Sequence, residues 1–354
     1  MNRGFWSGKR VFVTGHTGFK GSWLCAWLKA MGAEVHGYAL EAPTDPSLFS
    51  VLGLGQRIAS HTIADVRDAA ALAAAMGSAE PEIVFHLAAQ SLVRESYAAP
   101  VETYQTNVIG TVNLLQSVRA IAGVRAVVNV TTDKCYENDA RPRAYREHEP
   151  LGGRDPYSSS KACAELVTAA YRDSFLKALG IAVATARAGN VIGGGDFARD
   201  RLVPDFLRAL DAGETLRVRS PDATRPWQHV LEPLSGYLLL AERLAAEPDR
   251  FAEAFNFGPA DDESQPVRFV VERLVAKVPG ARWAVDTARG PHEAASLGLD
   301  SGKARARLGW RPRWPLRTAL ERTLEWHLAW RDGRDMQAVT HGQIEAYEDA
   351  AAGN

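Results

Sequence analysis

A chain of 354 residues, 46% hydrophobic and 23% charged, can bury a large core and has the composition of an ordinary soluble globular protein, which excludes the disordered and fibrous classes. The formal net charge of −1 offers no basic field for a nucleic-acid backbone, so a small-molecule partner is expected and no nucleic acid. No uninterrupted apolar run reaches the ~20 residues of a membrane span, and residues 1–9 lack the apolar stretch of a signal peptide, so the expectation is a cytoplasmic protein without membrane contact. The three cysteines, Cys25, Cys135 and Cys163, show neither metal-ligand spacing nor a disulfide framework, so reduced thiols and no metal are expected.

The first motif follows at once. Lys9-Arg10 leads into the apolar run Val11-Phe12-Val13, then Thr14-Gly15-His16-Thr17-Gly18-Phe19-Lys20-Gly21, then an apolar-rich helical stretch from Ser22 to Met31. Strand, glycine-rich turn and helix in this order set a helix N-terminus and its free amides against a pyrophosphate. Gly15, Gly18 and Gly21 follow a GxxGxxG spacing. Tight structural turns imitate such spacing, but with the flanking strand and helix it points to a dinucleotide.

Short β-rich runs then alternate with helical stretches, as expected of an α/β, doubly wound parallel sheet of the Rossmann type. The predicted strands are Val11 to Thr14, Glu34 to Tyr38, Arg57 to Ile63, Ile83 to Leu87, Ala126 to Thr131 and Ala182 to Arg187. Ligands of open α/β sheets bind outside the C-terminal strand ends, where the motifs of this chain fall. His86, which closes the fourth strand, reads as a packed strand residue.

Thr132-Asp133-Lys134, after the fifth strand, precedes Tyr157-Ser158-Ser159-Ser160-Lys161. Tyr and Lys at i and i+4 share one helix face, so the ammonium can favour the phenolate of a side chain whose pKa is otherwise about 10. Tyr157 can then take a hydroxyl proton while hydride leaves the same carbon for a nicotinamide. A simple dehydrogenase needs only this dyad; Asp133 and Lys134 suggest that a second bond is broken after the oxidation.

After Arg187 the pattern changes to glycine clusters, Arg-Pro pairs and irregular short elements. The expected division is a nucleotide-binding domain over 1–190, with return segments in about 228–258, and a smaller mixed α/β substrate domain over most of 191–354. Helices are predicted over Pro233 to Ala246, Val267 to Lys277 and Leu316 to Arg331, and the last fifteen residues, small and polar, read as a loosely held tail.

At these residues the chain resembles the extended short-chain dehydrogenase/reductases, and more narrowly their nucleotide-sugar 4,6-dehydratases acting on a CDP-hexose. The segments Gly15 to Leu24, Thr132 to Asn138, Arg187 to Asp196 and Arg225 to Pro233 carry the likeness. Related dehydratases for dTDP- and GDP-sugars have Asp-Glu where this chain has Asp133-Lys134. The resemblance implies Thr132, Asp133, Lys134, Tyr157 and Lys161 as catalytic residues. It implies a cofactor, NAD in preference to NADP, held by Gly15, Thr17, Gly18, Phe19, Lys20, Gly21, Asp65, Val66, Leu87, Ala88 and Ala89 together with Tyr157 and Lys161. Asp65 has an alternative as a helix N-cap, and Glu41 is a late candidate for a ribose ligand. Substrate contacts are expected from Gln90, Asn190, Arg201, Arg225, His229 and Glu293; a surface salt bridge is the plainer reading of Arg225, and pairing with a lysine that of Glu293. Helices over Val101 to Ile121 and Tyr157 to Ala178 match the pair that forms a dimer interface in the family, so a homodimer or homotetramer is expected. A 4-epimerase or 4-reductase with the same dyad, and a non-catalytic dinucleotide-binding regulator, are the other readings.

Overall fold

The computed structural model describes residues 1–139, 143–260, 263–286 and 298–350. In chain order the strands are β1 (Arg10–Thr14), β2 (Glu34–Ala39), β3 (Ser60–Ile63), β4 (Ile83–His86), β5 (Ala126–Val130), β6 (Ala182–Ala188), β7 (Val191–Ile192), β8 (Thr215–Val218), β9 (Thr224–Pro226), β10 (Gln228–His229), β11 (Ala254–Phe257), β12 (Ser264–Pro266) and β13 (Arg282–Val285). The α-helices are α1 (Arg3–Trp6), α2 (Phe19–Ala30), α3 (Leu48–Val51), α4 (Ala69–Ala79), α5 (Val93–Ala98), α6 (Pro100–Tyr104), α7 (Gly110–Ala120), α8 (Pro156–Tyr171), α9 (Leu202–Ala212), α10 (Leu231–Ala246), α11 (Pro248–Phe251), α12 (Val267–Lys277), α13 (Leu316–Arg331) and α14 (Met336–Asp349).

β1–β6 and β11 form one sheet in the order β11-β6-β5-β4-β1-β2-β3, with every neighbouring pair parallel. The Rossmann expectation therefore holds. β4, β5 and β6 are buried along their whole length, which is why they read as largely apolar runs without alternation. On one face Trp23, Trp27, Leu234 and Leu238 of α2 and α10 cover the sheet; on the other, Leu72, Met76, Leu114 and Val118 of α4 and α7 do. Strand order reverses between β1 and β4, and this switch point opens a crevice above the strand ends.

A second lobe has its own core of Val203, Phe206, Leu216, Trp227, Val270 and Leu320, drawn from α9, β8, α12, α13 and the link between β9 and β10. Its strands pair only in twos: β7 with β10, β8 with β13, and β9 with β12. The predicted spans of α12 and α13 match the observed ones. Two other expectations change. β3 starts at Ser60 and not at Arg57, because Arg57 and Ile58 fold back to the Leu54 carbonyl in a tight turn. The expected loose tail is largely α14: Asp335 caps it, Ile344 and Tyr347 are buried, and Glu348 accepts from the Trp27 indole at 2.8 Å. Burying two such side chains contributes roughly 1.5–3 kcal/mol each, enough to dock a helix of otherwise small and polar residues.

Candidate active site

One cleft of about 1030 Å³ follows the crevice and runs between the lobes, from Glu41, Asp65 and Val66 at one end to Val218 and Asp286 at the other. That is the upper end of the range for a single ligand. Gly15, Thr17, Gly18, Phe19, Lys20 and Gly21 line its floor. Gly15 has φ +76°, and a Cβ there would fall 2.7 Å from the Ala88 nitrogen; a Cβ on Gly21 would fall 2.0 Å from the Gly15 carbonyl oxygen. Only glycine permits this turn. Gly18 caps α2 without a side-chain hydrogen bond, so the first amides of that helix remain for a phosphate. The cradle fits a dinucleotide pyrophosphate.

Leu87, Ala88 and Ala89 line the same wall. Thr14 Oγ1 accepts from the Leu87 and Ala88 amides at 3.2 Å, holding the small residues against the turn. His86 is buried between Thr14 and Thr111, a packed strand residue. Asp65 lines the cleft, while its carboxylate accepts from the Arg67 amide and pairs with the Arg67 guanidinium. Glu41 also reaches the rim.

α8 starts where Asp155 accepts from Ser158 N at 2.9 Å and Pro156 occupies the first turn, which brings Tyr157 and Lys161 onto the face toward the cleft. Both are buried, and burial acts on both. It pushes the Tyr157 phenol up to about 12, opposed by its hydrogen-bonding interaction with Thr132, and the Lys161 ammonium down to about 8, opposed by Glu165. Lys161 Nζ donates to the Val130 carbonyl at 3.2 Å. The expected lowering of Tyr157 by Lys161 is not what the site shows: desolvation dominates, and Thr132 and Arg201 are the groups that pull the phenol down.

A tight turn after β5, Asp133–Cys135, sets Thr132, Asp133 and Lys134 beside this dyad. Thr132 Oγ1 donates to Asp133 Oδ1 at 2.9 Å, and Lys134 Nζ to the same oxygen at 3.4 Å. Asp133 is 1% exposed, yet its Oδ2 has no hydrogen-bond partner among the described residues. An orphaned buried acceptor costs about 1–3 kcal/mol or more; its neighbours Thr132 and Lys134 line the cleft, whereas Asp133 itself does not. Gly189 packs closely against this group: a Cβ would lie 3.3 Å from Oδ2 and 2.5 Å from Pro226 Cγ, so a side chain does not fit there.

Lys20, expected with the phosphate turn, sends its side chain toward the catalytic cluster. Nζ contacts the Tyr237 hydroxyl at 3.4 Å, and burial, then Arg201 and Lys161, lower the ammonium to about 7. Asn190 and Arg225 line the next stretch, the Asn190 Oδ1 buried without a hydrogen-bond partner among the described residues. Arg201 joins Asp196 at 2.9 Å and Ser91 at 3.2 Å, and its charge acts on Tyr157.

Two expected substrate residues are not on the cleft surface. His229 is fully buried between Trp23 and Trp314, with its ring held neutral by burial, because β10 turns it into the interlobe core. Gln90 spends its side-chain amide on Leu92 and Thr103, fixing the loop before α5. Glu293 lies outside the described residues. Sequence reading missed a bridge across the rim, in which Asp200 Oδ1 accepts from Arg94 at 2.8 Å and Arg219 at 3.2 Å. The alternating charges Arg199-Asp200-Arg201 were the available signal.

A doubly wound sheet with a phosphate turn, a Tyr–Lys helix and a lined second lobe defines a dinucleotide-binding fold of the short-chain dehydrogenase/reductase class. A family model described as GDP-mannose 4,6 dehydratase matches residues 12–323. The chain is 52% identical over 356 residues to the CDP-glucose 4,6-dehydratase of Salmonella typhimurium, covering 99% of each. It superposes with a TM-score of 0.76 on DesIV, a dTDP-glucose 4,6-dehydratase from Streptomyces venezuelae solved with NAD and TYD bound, at 28% identity and covering 92% and 99% of the two chains. With MoeE5, solved with UDP-glucuronic acid and NAD, the TM-score is 0.75 at 26% identity, covering 90% and 98%. The chain belongs to the nucleotide-sugar 4,6-dehydratase family that this model describes.

Proposed function

We propose that this protein is an NAD-dependent lyase that converts CDP-glucose to CDP-4-keto-6-deoxyglucose by intramolecular redox dehydration. The observation that carries the reading is the Asp133–Lys134 pair, with its orphaned carboxylate oxygen, set beside the Tyr157–Lys161 helix. The 52% identical relative supports the CDP-hexose. Residues 1–190, with 228–258, hold the dinucleotide, and most of 191–354 holds the nucleotide sugar.

NAD, when bound, supplies the hydride acceptor that the chain's side chains lack. Tyr157 takes the proton of the carbon-4 hydroxyl, Thr132 hydrogen-bonds that oxygen, and Lys161 donates to the nicotinamide ribose. Oxidation at carbon 4 makes the carbon-5 hydrogen acidic, and Lys134 acts there. Asp133 protonates the carbon-6 hydroxyl as it leaves. Asn190, Arg201 and Arg225 hold the diphosphate, Arg225 through its planar fork.

We also propose a homodimer, or a tetramer built from it, in the cytoplasm. Val101, Tyr104, Ile109, Leu166 and Phe175 are exposed apolar side chains on α6 to α8 and the turns that continue them, a face that fits a second copy. No helix among the described residues is long and apolar enough to cross a membrane. Incubation with CDP-, dTDP-, GDP- and UDP-glucose, followed by the alkali-induced absorbance of 4-keto sugars, tests the activity. Product from CDP-glucose alone is expected; absence of product from CDP-glucose would contradict it.

A further inference from the structure

Beyond Asn190, Arg201 and Arg225 the cleft continues to the first turn of α9 and to β8, where aliphatic Leu202, Val203, Leu216, Val218 and Val267 line it together with Arg217, Arg219 and Asp286 at its outer end. A substrate whose hexose lies at Tyr157 and whose diphosphate lies at the two arginines places its base in this slot. One acidic side chain of α9 interrupts the aliphatic lining there, that of Asp205. Its Oδ1 accepts from Arg208 at 2.9 Å, while Oδ2 accepts no hydrogen bond from another described residue. Burial pushes this carboxyl above the usual carboxylate range, against the pull of Arg208. Packing does not require a carboxylate among leucines and valines, and the Arg208 pair uses only one of its oxygens.

We propose that Asp205 selects the base of the substrate by accepting a hydrogen bond from the exocyclic amine of cytosine. This rests on the CDP-hexose reading above. Cytosine presents an amine donor where uracil and thymine present an acceptor oxygen, and a carboxylate accepts the first and repels the second. The rings are otherwise alike in size, so the aliphatic part of the wall binds each about equally, and Asp205, set in the first turn of α9 among those residues, is the group that tells them apart. A polar group left facing an acceptor by the wrong ligand discriminates more strongly than a methylene does.

The test is calorimetric titration of the NAD-loaded wild type, Asp205→Asn and Asp205→Leu with CDP and with UDP, each protein first checked by its melting temperature and NAD affinity. The wild type should favour CDP by about tenfold or more, the discrimination of one charge-assisted hydrogen bond. Asp205→Asn, whose amide can donate to the uracil oxygen, should reduce the CDP-to-UDP affinity ratio by about tenfold or more. Asp205→Leu should weaken CDP while leaving UDP within about twofold. Variants that keep the wild-type ratio, with the wild type favouring CDP, overturn the role of Asp205 alone. A wild type that binds CDP no better than UDP overturns the CDP-hexose reading, and this proposal with it.

Discussion

Tyr157 and Lys161 sit one helical turn apart in a site whose burial disfavours the charged form of both, so the phenol must be both placed and assisted to act as a base. Tyr157→Phe removes only the hydroxyl and leaves the ring packing. Turnover should fall by ~10²–10⁴-fold with NAD affinity retained, as measured by steady-state kinetics and titration; a variant keeping a tenth of wild-type turnover would remove Tyr157 from the mechanism. Asp133 and Lys134 divide the later steps. Lys134→Met should block exchange of the carbon-5 hydrogen with deuterated solvent, whereas Asp133→Asn should permit exchange and stall loss of the carbon-6 hydroxyl. Mass spectrometry reads both, and an Asp133→Asn enzyme that eliminates water at a near-normal rate would contradict the assignment. These residues were legible because their chemistry is encoded in local spacing. His229 and Gln90 were not, since burial between Trp23 and Trp314, or capture by Thr103, depends on contacts remote in sequence. Lys20 shows the reverse: its motif fixed the backbone's task and hid where the side chain points.

At the scale of elements, Glu232 at the start of α10 ties three segments together. Its carboxylate accepts from the Arg313 and Trp314 amides and from the Tyr347 hydroxyl of α14, at 2.7–3.1 Å. Burial raises its pKa from 4.5 to about 7, with the hydrogen bonds opposing. A carboxyl raised in the folded state contributes stability that is fully present below pH 4.5 and lost as pH climbs past about 7. Melting temperature should therefore fall across that window, by a stability change of at most about 3 kcal/mol, and Glu232→Gln should flatten the dependence. An unchanged slope in the variant would show that the carboxyl does not titrate there. The same element shows where sequence reading stopped. α12 and α13 carry regular apolar periodicity and were read to the residue. α14 has too few apolar positions, and its stability comes from Glu348, Tyr347 and Ile344 meeting α2, α10 and the Trp314 segment. Helix α7 was expected to run from Val101 but is preceded by a π-helical turn over Gln105–Ile109, in which Asn107 reaches Ser160 at 2.8 Å; such a local widening leaves no periodic signature.

In the whole molecule the parallel sheet and its switch point set the dinucleotide end of the cleft, and the second lobe sets the other end. The first was readable from six apolar runs and a glycine turn. In the second, α12 and α13 were readable but the strands appeared only as irregularity, because their two-stranded pairings are short and far apart in sequence. The exposed face of α6 to α8 predicts a dimer mass by light scattering at micromolar concentration. Leu166→Glu, at a position 60% exposed, should yield monomers with an unchanged fold by circular dichroism. A monomeric wild type would contradict the interface. The central claim is that oxidation at carbon 4 and reduction at carbon 6 occur on one sugar in one cleft, with water lost between them. It is tested most directly with CDP-glucose deuterated at carbon 4, by mass spectrometry and proton spectra of the product. Deuterium recovered at carbon 6 of CDP-4-keto-6-deoxyglucose, without net consumption of NAD, is the predicted result; product with ordinary hydrogen at carbon 6, or a sugar that keeps its carbon-6 hydroxyl, would contradict it.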